Sequence, residues 1–397
     1  PNSVFSVSHF DKPEGNIRYK KTRHQWQSGK CVYCGAAQSQ YDRDESLETH
    51  AYELIHTTKP EDLLNMKFDV IIGNPPYQLS DGGAGPSAMP LYHMFVEQAL
   101  KLQPRYLSMI IPARWYAGGK GLDEFRINML SSSHIRTLVD FDSSKDCFEG
   151  VDIAGGICYF LWERDYVGEC TVVNNTGHNS NQISRRLNEY PIFIRSNKAV
   201  SIVRKVLQKE TSFLDQTVLT QKPFGLRTFA RGKNNTFSGA VKLLSSQGWS
   251  YISRHEVTKN SDGIDKYKII VGRLVPSNGE LDVKPGTGYR VITQPRILKP
   301  GEINTESYIT LGVFNTEQEA TNFKLYIKGK FSRFLLRQAV SSVNINRDVF
   351  KFVPSLDFTK TWDDQNLYRI FELSEDEISY IEETIRDFEV GGDDSEQ

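Results

Sequence analysis

The alternation between residues 68 and 162 limits what this chain can fold into more than any other feature. Four apolar runs, "FDVIIG", "YLSMIIP", "IRTLVDF" and "GGICYFLWE", are interrupted by segments of helical spacing. Phe68, Val70, Ile71 and Ile72 read as a short buried strand that stops at Gly73. In "LYHMFVEQALKL", Leu91, Phe95, Ala99 and Leu102 fall on one helical face. In "GLDEFRINMLSS", Leu122, Phe125 and Leu130 form the apolar side. Strands alternating with helices of this length predict an open α/β sheet with helices on its faces. Such sheets collect ligands outside the carboxyl ends of their strands. The first strand ends there in Asn74, Pro75, Pro76 and Tyr77, four residues ill suited to a core.

That tetrapeptide has a chemical reading. An exocyclic amino group conjugated to a heteroaromatic ring is a poor nucleophile, because its lone pair is delocalised. Acceptors for both of its N–H groups draw the nitrogen toward tetrahedral geometry and release the lone pair. The side-chain oxygen of Asn74 and the carbonyl of Pro75 can form that pair, with the fixed proline φ holding the carbonyl in place. Pro76 stiffens the loop, and Tyr77 offers a ring on which a base can stack. Electrostatic positioning then supplies much of the rate, and no strong base is needed. The plainer reading is a strand-ending turn, since Asn-Pro is a common breaker. The apolar strand before the motif and the Gly-rich loop "LSDGGAGPSAMP" after it favour a site.

Beyond this region the pattern changes. Residues 181–220 read as helical, with "KAVSIVRKVLQ" the clearest piece, and residues 221–315 as irregular and β-rich. "TEQEATNFKLYIKGKFSRFLLRQAV" predicts one strong helix, opened by a Thr316–Glu319 capping box and lined by Ala320, Phe323, Ile327, Phe331 and Phe334. A chain of 397 residues suits two or three domains. No apolar run approaches the length that spans a membrane. Five cysteines, an odd and low count, argue against a disulfide scaffold and for a cytoplasmic, reducing setting. The net charge of -1 is uninformative, but its distribution is not. Residues 320–351 hold seven basic residues against Asp348 alone, whereas residues 373–397 hold ten acids and one Arg. The basic stretch suits phosphates and the acidic end a solvated helix and tail.

"FDVIIGNPPYQ" resembles the catalytic motif of S-adenosylmethionine-dependent amino-methyltransferases that act on adenine in DNA. "YLSMIIPARWYAGGKGLDEFRINML" is similar to a strand-and-helix segment of those enzymes. "IRTLVDFDSSKDCFEGVDIAGGICYFLW" is similar to the segment in which a Phe precedes a later strand. With the carboxyl-terminal region, the likeness extends over about residues 67–390 and points to single-chain type II restriction-modification methylases. It implies that S-adenosylmethionine is the cofactor, double-stranded DNA the partner and a flipped-out adenine the target. It also implies that Asn74, Pro75, Pro76 and Tyr77 are catalytic, that Phe148 stacks on the base opposite Tyr77, and that a nuclease partner or fused nuclease lies outside this chain. The fold it implies is a Rossmann-like methyltransferase sheet, incomplete at its amino terminus, followed by a mixed α+β target-recognition domain.

The family's Gly-rich cofactor loop does not occur before residue 67, and the expectation is that it lies ahead of Pro1; Asp62 is a weak match to an acidic residue near the cofactor. The domains expected are 1–66, an insertion or linker with a zinc site; 67–180, catalytic; 181–362, target recognition; and 363–397, a helix and acidic tail. Cys31 and Cys34, followed by His50 and His56, have the spacing of a structural zinc site, with His24 as a competing ligand. Two thiols and two surface imidazoles without metal are the plainer alternative. Cys147, Cys158 and Cys170 read as small buried hydrophobes. In "QKPFGLRTFARGKNN", Lys222, Arg227, Arg231 and Lys233 mix with Phe224 and Phe229, a composition suited to groove edges. Lys328, Arg333 and Arg337 are further phosphate candidates, against a merely solvated face. Two other functions remain open: methylation of guanine in RNA or glutamine in protein, and DNA recognition without activity for want of the cofactor loop.

Overall fold

The computed structural model describes residues 25–33, 38, 54–61, 67–78, 89–116, 119–148, 153, 155–176, 179–219, 221–276, 288–340 and 344–388. The chain divides into two compact units, Pro1–Phe193 and Ile194–Gln397. In the first, a small hairpin pairs β1 (Trp26–Gln27) with β2 (Lys30–Cys31). A separate six-stranded sheet holds β3 (Val70–Gly73), β4 (Tyr106–Pro112), β5 (Ile135–Phe141), β6 (Ile157–Glu163), β7 (Cys170–Thr176) and β8 (Asn179–Arg185). Its order is β3-β4-β6-β5-β7-β8. β3 runs parallel to β4 and β5 parallel to β7, whereas β6 is antiparallel to both of its neighbours, β4 and β5. It follows that β3, β4, β5 and β7 all point the same way and share one carboxyl edge.

Helices α1 (Tyr92–Lys101) and α2 (Asp123–Ser131) pack on one face of this sheet. Phe95, Val96, Ala99, Phe125 and Met129 join Ile71, Leu107, Met109, Ile111, Leu138, Phe160 and Val172 in a single core. These are alternate strand residues, as a period of two requires. The opposite set differs from the expectation of a strand buried throughout. β3 is the edge strand, and there Ile71 is 1% exposed while Val70 and Ile72 are 52% and 68% exposed. Among the described residues the helices cover one face of the sheet and not both. Residues 181–185, read as the start of a helical region, fall in β8 instead, pairing antiparallel with β7.

The second unit opens with α3 (Asn197–Lys209), the expected helix. Two three-stranded sheets follow. One has the order β10-β9-β13, with β9 (Ala240–Ser245), β10 (Gly248–Ser253) and β13 (Glu302–Asn304). The other has the order β12-β11-β14, with β11 (Tyr267–Gly272), β12 (Arg296–Leu298) and β14 (Tyr308–Phe314). Helix α4 (Glu317–Lys328) packs on β11, β12 and β14. Its capping box is formed: Glu319 N–H donates to Thr316 Oγ1 (3.2 Å) and Thr316 N–H to Glu319 Oε2 (3.0 Å).

The single long helix expected from residue 316 onward is two helices, because the chain turns at Gly329 and restarts as α5 (Lys330–Ala339). The cause lies far along the sequence. The Asp364 carboxylate, at the start of α6 (Asp364–Ile370), accepts the N–H groups of Lys330 (2.8 Å) and Phe331 (3.0 Å) and so caps α5. A Cβ on residue 329 would lie 2.6 Å from Asp364 Oδ1, so only glycine admits the carboxylate. Helix α7 (Glu375–Thr384), opened by a Ser374–Glu377 capping box, closes the described fold. No helix among the described residues is long and apolar enough to cross a membrane.

Candidate active site and nucleic-acid interface

Asn74 leaves the carboxyl end of β3 and is exposed, while Pro75 beneath it is buried. The backbone is pinned just beyond, where Leu91 N–H donates to the Tyr77 carbonyl (3.1 Å) and Gln78 bridges to Pro90. The Tyr77 ring packs half-buried against the sheet core. Its hydroxyl is buried and has no hydrogen-bond partner among the described residues. Burial pushes the phenol up to about 12, with smaller contributions from the thiols of Cys158 and Cys147. At neutral pH this tyrosine is therefore an uncharged ring and not a base.

Phe148 follows Cys147 in the segment beyond β5. A short turn of helix, Ser144–Asp146, follows β5 and is capped by the Ser143 side chain. Cys147 and Phe148 N–H groups both return to the Ser144 carbonyl (3.1 and 2.8 Å), and Ser144 Oγ accepts Ile153 N–H (2.8 Å). Phe148, half-buried, is thus anchored beyond β5 as Asn74 is beyond β3, at one edge of one sheet. Trp115, fully buried beyond β4, donates its Nε1–H to Cys158 Sγ (3.4 Å) and backs the same region. Cys158 and Cys170 are buried as expected, but Cys147 is exposed. Cys147 lies beyond the carboxyl end of β5, which β4 and β6 separate from β3.

The other expected residues fare unequally. Asp62, Cys34 and His50 lie outside the described residues. Cys31 Sγ and His56 Nε2 do approach to 4.0 Å, and the Tyr33 ring stacks on His56 with centroids 5.6 Å apart. Among the described residues, however, no group of three or more metal-ligating side chains gathers, so the zinc expectation has no support there. In the second unit, Arg227, Arg231 and Lys233 are exposed and Lys222 is half-buried, while Phe224 is wholly within the core. Arg337 lies over the Tyr289 ring (4.3 Å). Lys328 lies 5.3 Å from the Phe388 ring, its ammonium pushed down by burial and then by Lys324 and Arg333.

Arg333 is a correction. It is 1% exposed and cannot meet a phosphate. Its Nε donates to the carbonyls of Lys328 (2.8 Å) and Gly329 (3.3 Å), and its Nη1 to those of Arg386 (2.8 Å) and Arg290 (3.3 Å). The planar fork thus ties the break between α4 and α5 to the strap that follows α7, a structural use of guanidinium.

The strand end that carries Asn74 and Pro75 lies in the part of the chain that resembles a known family. The family model of the Eco57I restriction-modification methylase matches residues 2–148, the stretch that carries the site. A curated relative, an uncharacterized adenine-specific methylase of Mycoplasma pneumoniae, is 37% identical over 187 residues, 43% of this chain and 44% of that protein. The chain thus spans under half the length of the relative it matches. Solved structures with some likeness include the type IIG restriction endonuclease BpuSI, at 11% identity and TM-score 0.33, covering 77% of this chain and 48% of that one. Another is the type IIL restriction-modification enzyme MmeI in complex with DNA, at 9% identity and TM-score 0.38, covering 78% and 50%.

Proposed function

We propose that this chain provides the base-accepting and DNA-reading parts of a site-specific adenine N6-methyltransferase of a restriction-modification system. The observation that carries this reading is the exposure of Asn74 at the same sheet edge that holds Tyr77 and Phe148. A duplex base cannot reach such an edge while stacked, so the adenine is flipped out. Asn74 Oδ1 and the Pro75 carbonyl accept the two N6 hydrogens, which draws the nitrogen toward tetrahedral geometry and frees its lone pair. The rings of Tyr77 and Phe148 hold the base. Neutral Tyr77 takes no proton; the proton released on methylation passes to water.

When bound, S-adenosylmethionine supplies an electrophilic methyl group on a sulfonium. Among the described residues no glycine-rich turn follows directly on a strand of the sheet to open a helix, the arrangement that suits such a cofactor. The fit is therefore not met by these residues. The second unit supplies the reader, with Lys222, Arg227, Arg231 and Lys233 on one loop and Lys328 and Arg337 on α4 and α5.

The test is tritiated methyl transfer to DNA, RNA and protein side by side, with Asn74→Ala as the control. The expected outcome is label in DNA alone, reduced about 100- to 1,000-fold by the substitution with DNA affinity retained. Label in RNA or protein instead would move the substrate class, and an Asn74→Ala variant that methylates normally would sink the assignment. Duplex binding without transfer would leave only the recognition role.

A further inference from the structure

Phe229 is 72% exposed, in a unit where Phe224, five residues earlier, is fully buried. A single exposed aromatic needs no explanation in itself. The backbone beneath this one does. Ala230 N–H donates to the Arg227 carbonyl (3.0 Å), closing a β-turn with Phe229 at its third position. Arg231 Nη1 donates to the carbonyls of Thr228 (2.7 Å) and Ala230 (2.9 Å), the residues on either side of Phe229. Its Nε donates to Gln247 Oε1 (2.7 Å), tying the turn to the hairpin of β9 and β10.

Two further braces fix the loop's ends. Glu306, buried, sends its N–H to the Leu226 carbonyl (3.1 Å) and accepts Thr228 N–H on Oε1 (3.3 Å). Lys233 and Tyr251 exchange both backbone hydrogen bonds (2.8 and 2.9 Å), and a Cβ on Gly232 would collide with the Tyr251 backbone. The turn is thus immobilised on both sides while its aromatic tip is left in water, between the exposed cations Arg227, Arg231 and Lys233. A hydrophobic ring held rigidly among cations matches a wedge that enters a base step while its neighbours meet phosphates.

We propose that Phe229 is such a wedge, inserted between stacked bases of bound duplex DNA, with Arg231 and Glu306 as the residues that position it. This rests on the DNA-reading function proposed above. Insertion creates no covalent bond; it exchanges base-on-base stacking for base-on-phenyl stacking and unstacks one step. Phe229→Leu keeps an apolar wedge, whereas Phe229→Ala removes it. Both lie in solvent and leave the fold intact. Arg231→Ala frees the tip.

The experiment first maps the modified site by sequencing methylated DNA, then scans that duplex with 2-aminopurine at successive positions. With the wild-type chain one step should brighten besides the modified adenine. Phe229→Ala should abolish that signal and weaken binding to intact duplex about tenfold, a loss largely restored when the same step carries an abasic site. Phe229→Leu should keep most of both. Arg231→Ala should dim the same step and, because its cation also faces the DNA backbone, lower the salt slope by about one unit. An unchanged profile in Phe229→Ala, or an equal loss on intact and abasic duplexes, would overturn the wedge while leaving the DNA-reading function standing. A wild-type chain that neither binds nor methylates duplex DNA would overturn both together.

Discussion

β3 and β11 are nearly the same sequence, "VIIG" and "KIIVG", and meet opposite fates. In β11, between β12 and β14, Ile269, Ile270 and Val271 are at most 1% exposed. Helix α4 packs on this sheet, and Ile270 joins Leu244 and Leu298 in a small core of its own. In β3, at the edge of its sheet, only Ile71 is covered, and Val70 and Ile72 are exposed. An apolar run specifies a strand; which faces are buried is decided by the elements that reach it. β11 spends its whole length on stability. β3 is a bracket whose far end holds Asn74.

The largest effect that can test this contrast is a paired truncation. Ile270→Ala should cost about 2–5 kcal/mol, the lost transfer energy plus a cavity. Ile72→Ala, on the open face, should change stability by no more than about 0.5 kcal/mol. Denaturant unfolding of the 397-residue chain measures both. An equal loss at Ile72 would show that its face is covered in solution, and β3 would then resemble β11 after all.

The second test asks what the bracket holds. The Tyr77 hydroxyl is buried without a hydrogen-bond partner among the described residues, so Tyr77→Phe should leave methylation within about twofold of the parent and stability unchanged or raised. Tyr77→Ala removes a stacking face and should cost about 1–3 kcal/mol in kcat/KM, roughly 5- to 150-fold. If Phe and Ala variants fall together, the phenol takes part in chemistry and the ring-only role fails.

Much of the framework was readable from residue order. The four strands between residues 70 and 163, both helices between them and the Thr316 cap follow from local periodicity and capping, which act over a few residues. What escaped depends on distant partners. A glycine inside a helical pattern is ordinarily tolerated, and the break at Gly329 comes from Asp364, 35 residues on. The charge pattern counted Arg333 with the surface cations, although four carbonyls hold it inside. β8 carries a single apolar residue, Ile183, so no period of two marked it as a strand. The role of Phe148 was reached through resemblance alone, and the strand order puts β4 and β6 between β5 and β3.

The smallest effect concerns the one cation within β11. Lys268 is fully buried, its Nζ donating to the carbonyls of Gly263 (3.0 Å) and Ile264 (2.9 Å). Burial pushes its ammonium down to about 8 from the ordinary 10.5, with Glu302 and Asp265 opposing the shift only in part. The folded state therefore holds this proton less tightly than the unfolded chain. Below pH 8 both are protonated and the penalty is fully present; between 8 and 10.5 the unfolded chain binds more protons, and stability rises with pH. Across the first pH unit of that window the second unit should gain about 1 kcal/mol from this residue. In Lys268→Met that rise should vanish, so the difference between parent and variant, followed by thermal unfolding from pH 7 to 10, should favour the parent increasingly as pH increases. Parallel profiles would mean that the ammonium is solvated and that β11 is less sealed than its packing indicates. β3 has no counterpart to this strain: its polar residue, Asn74, lies beyond the strand end and is exposed.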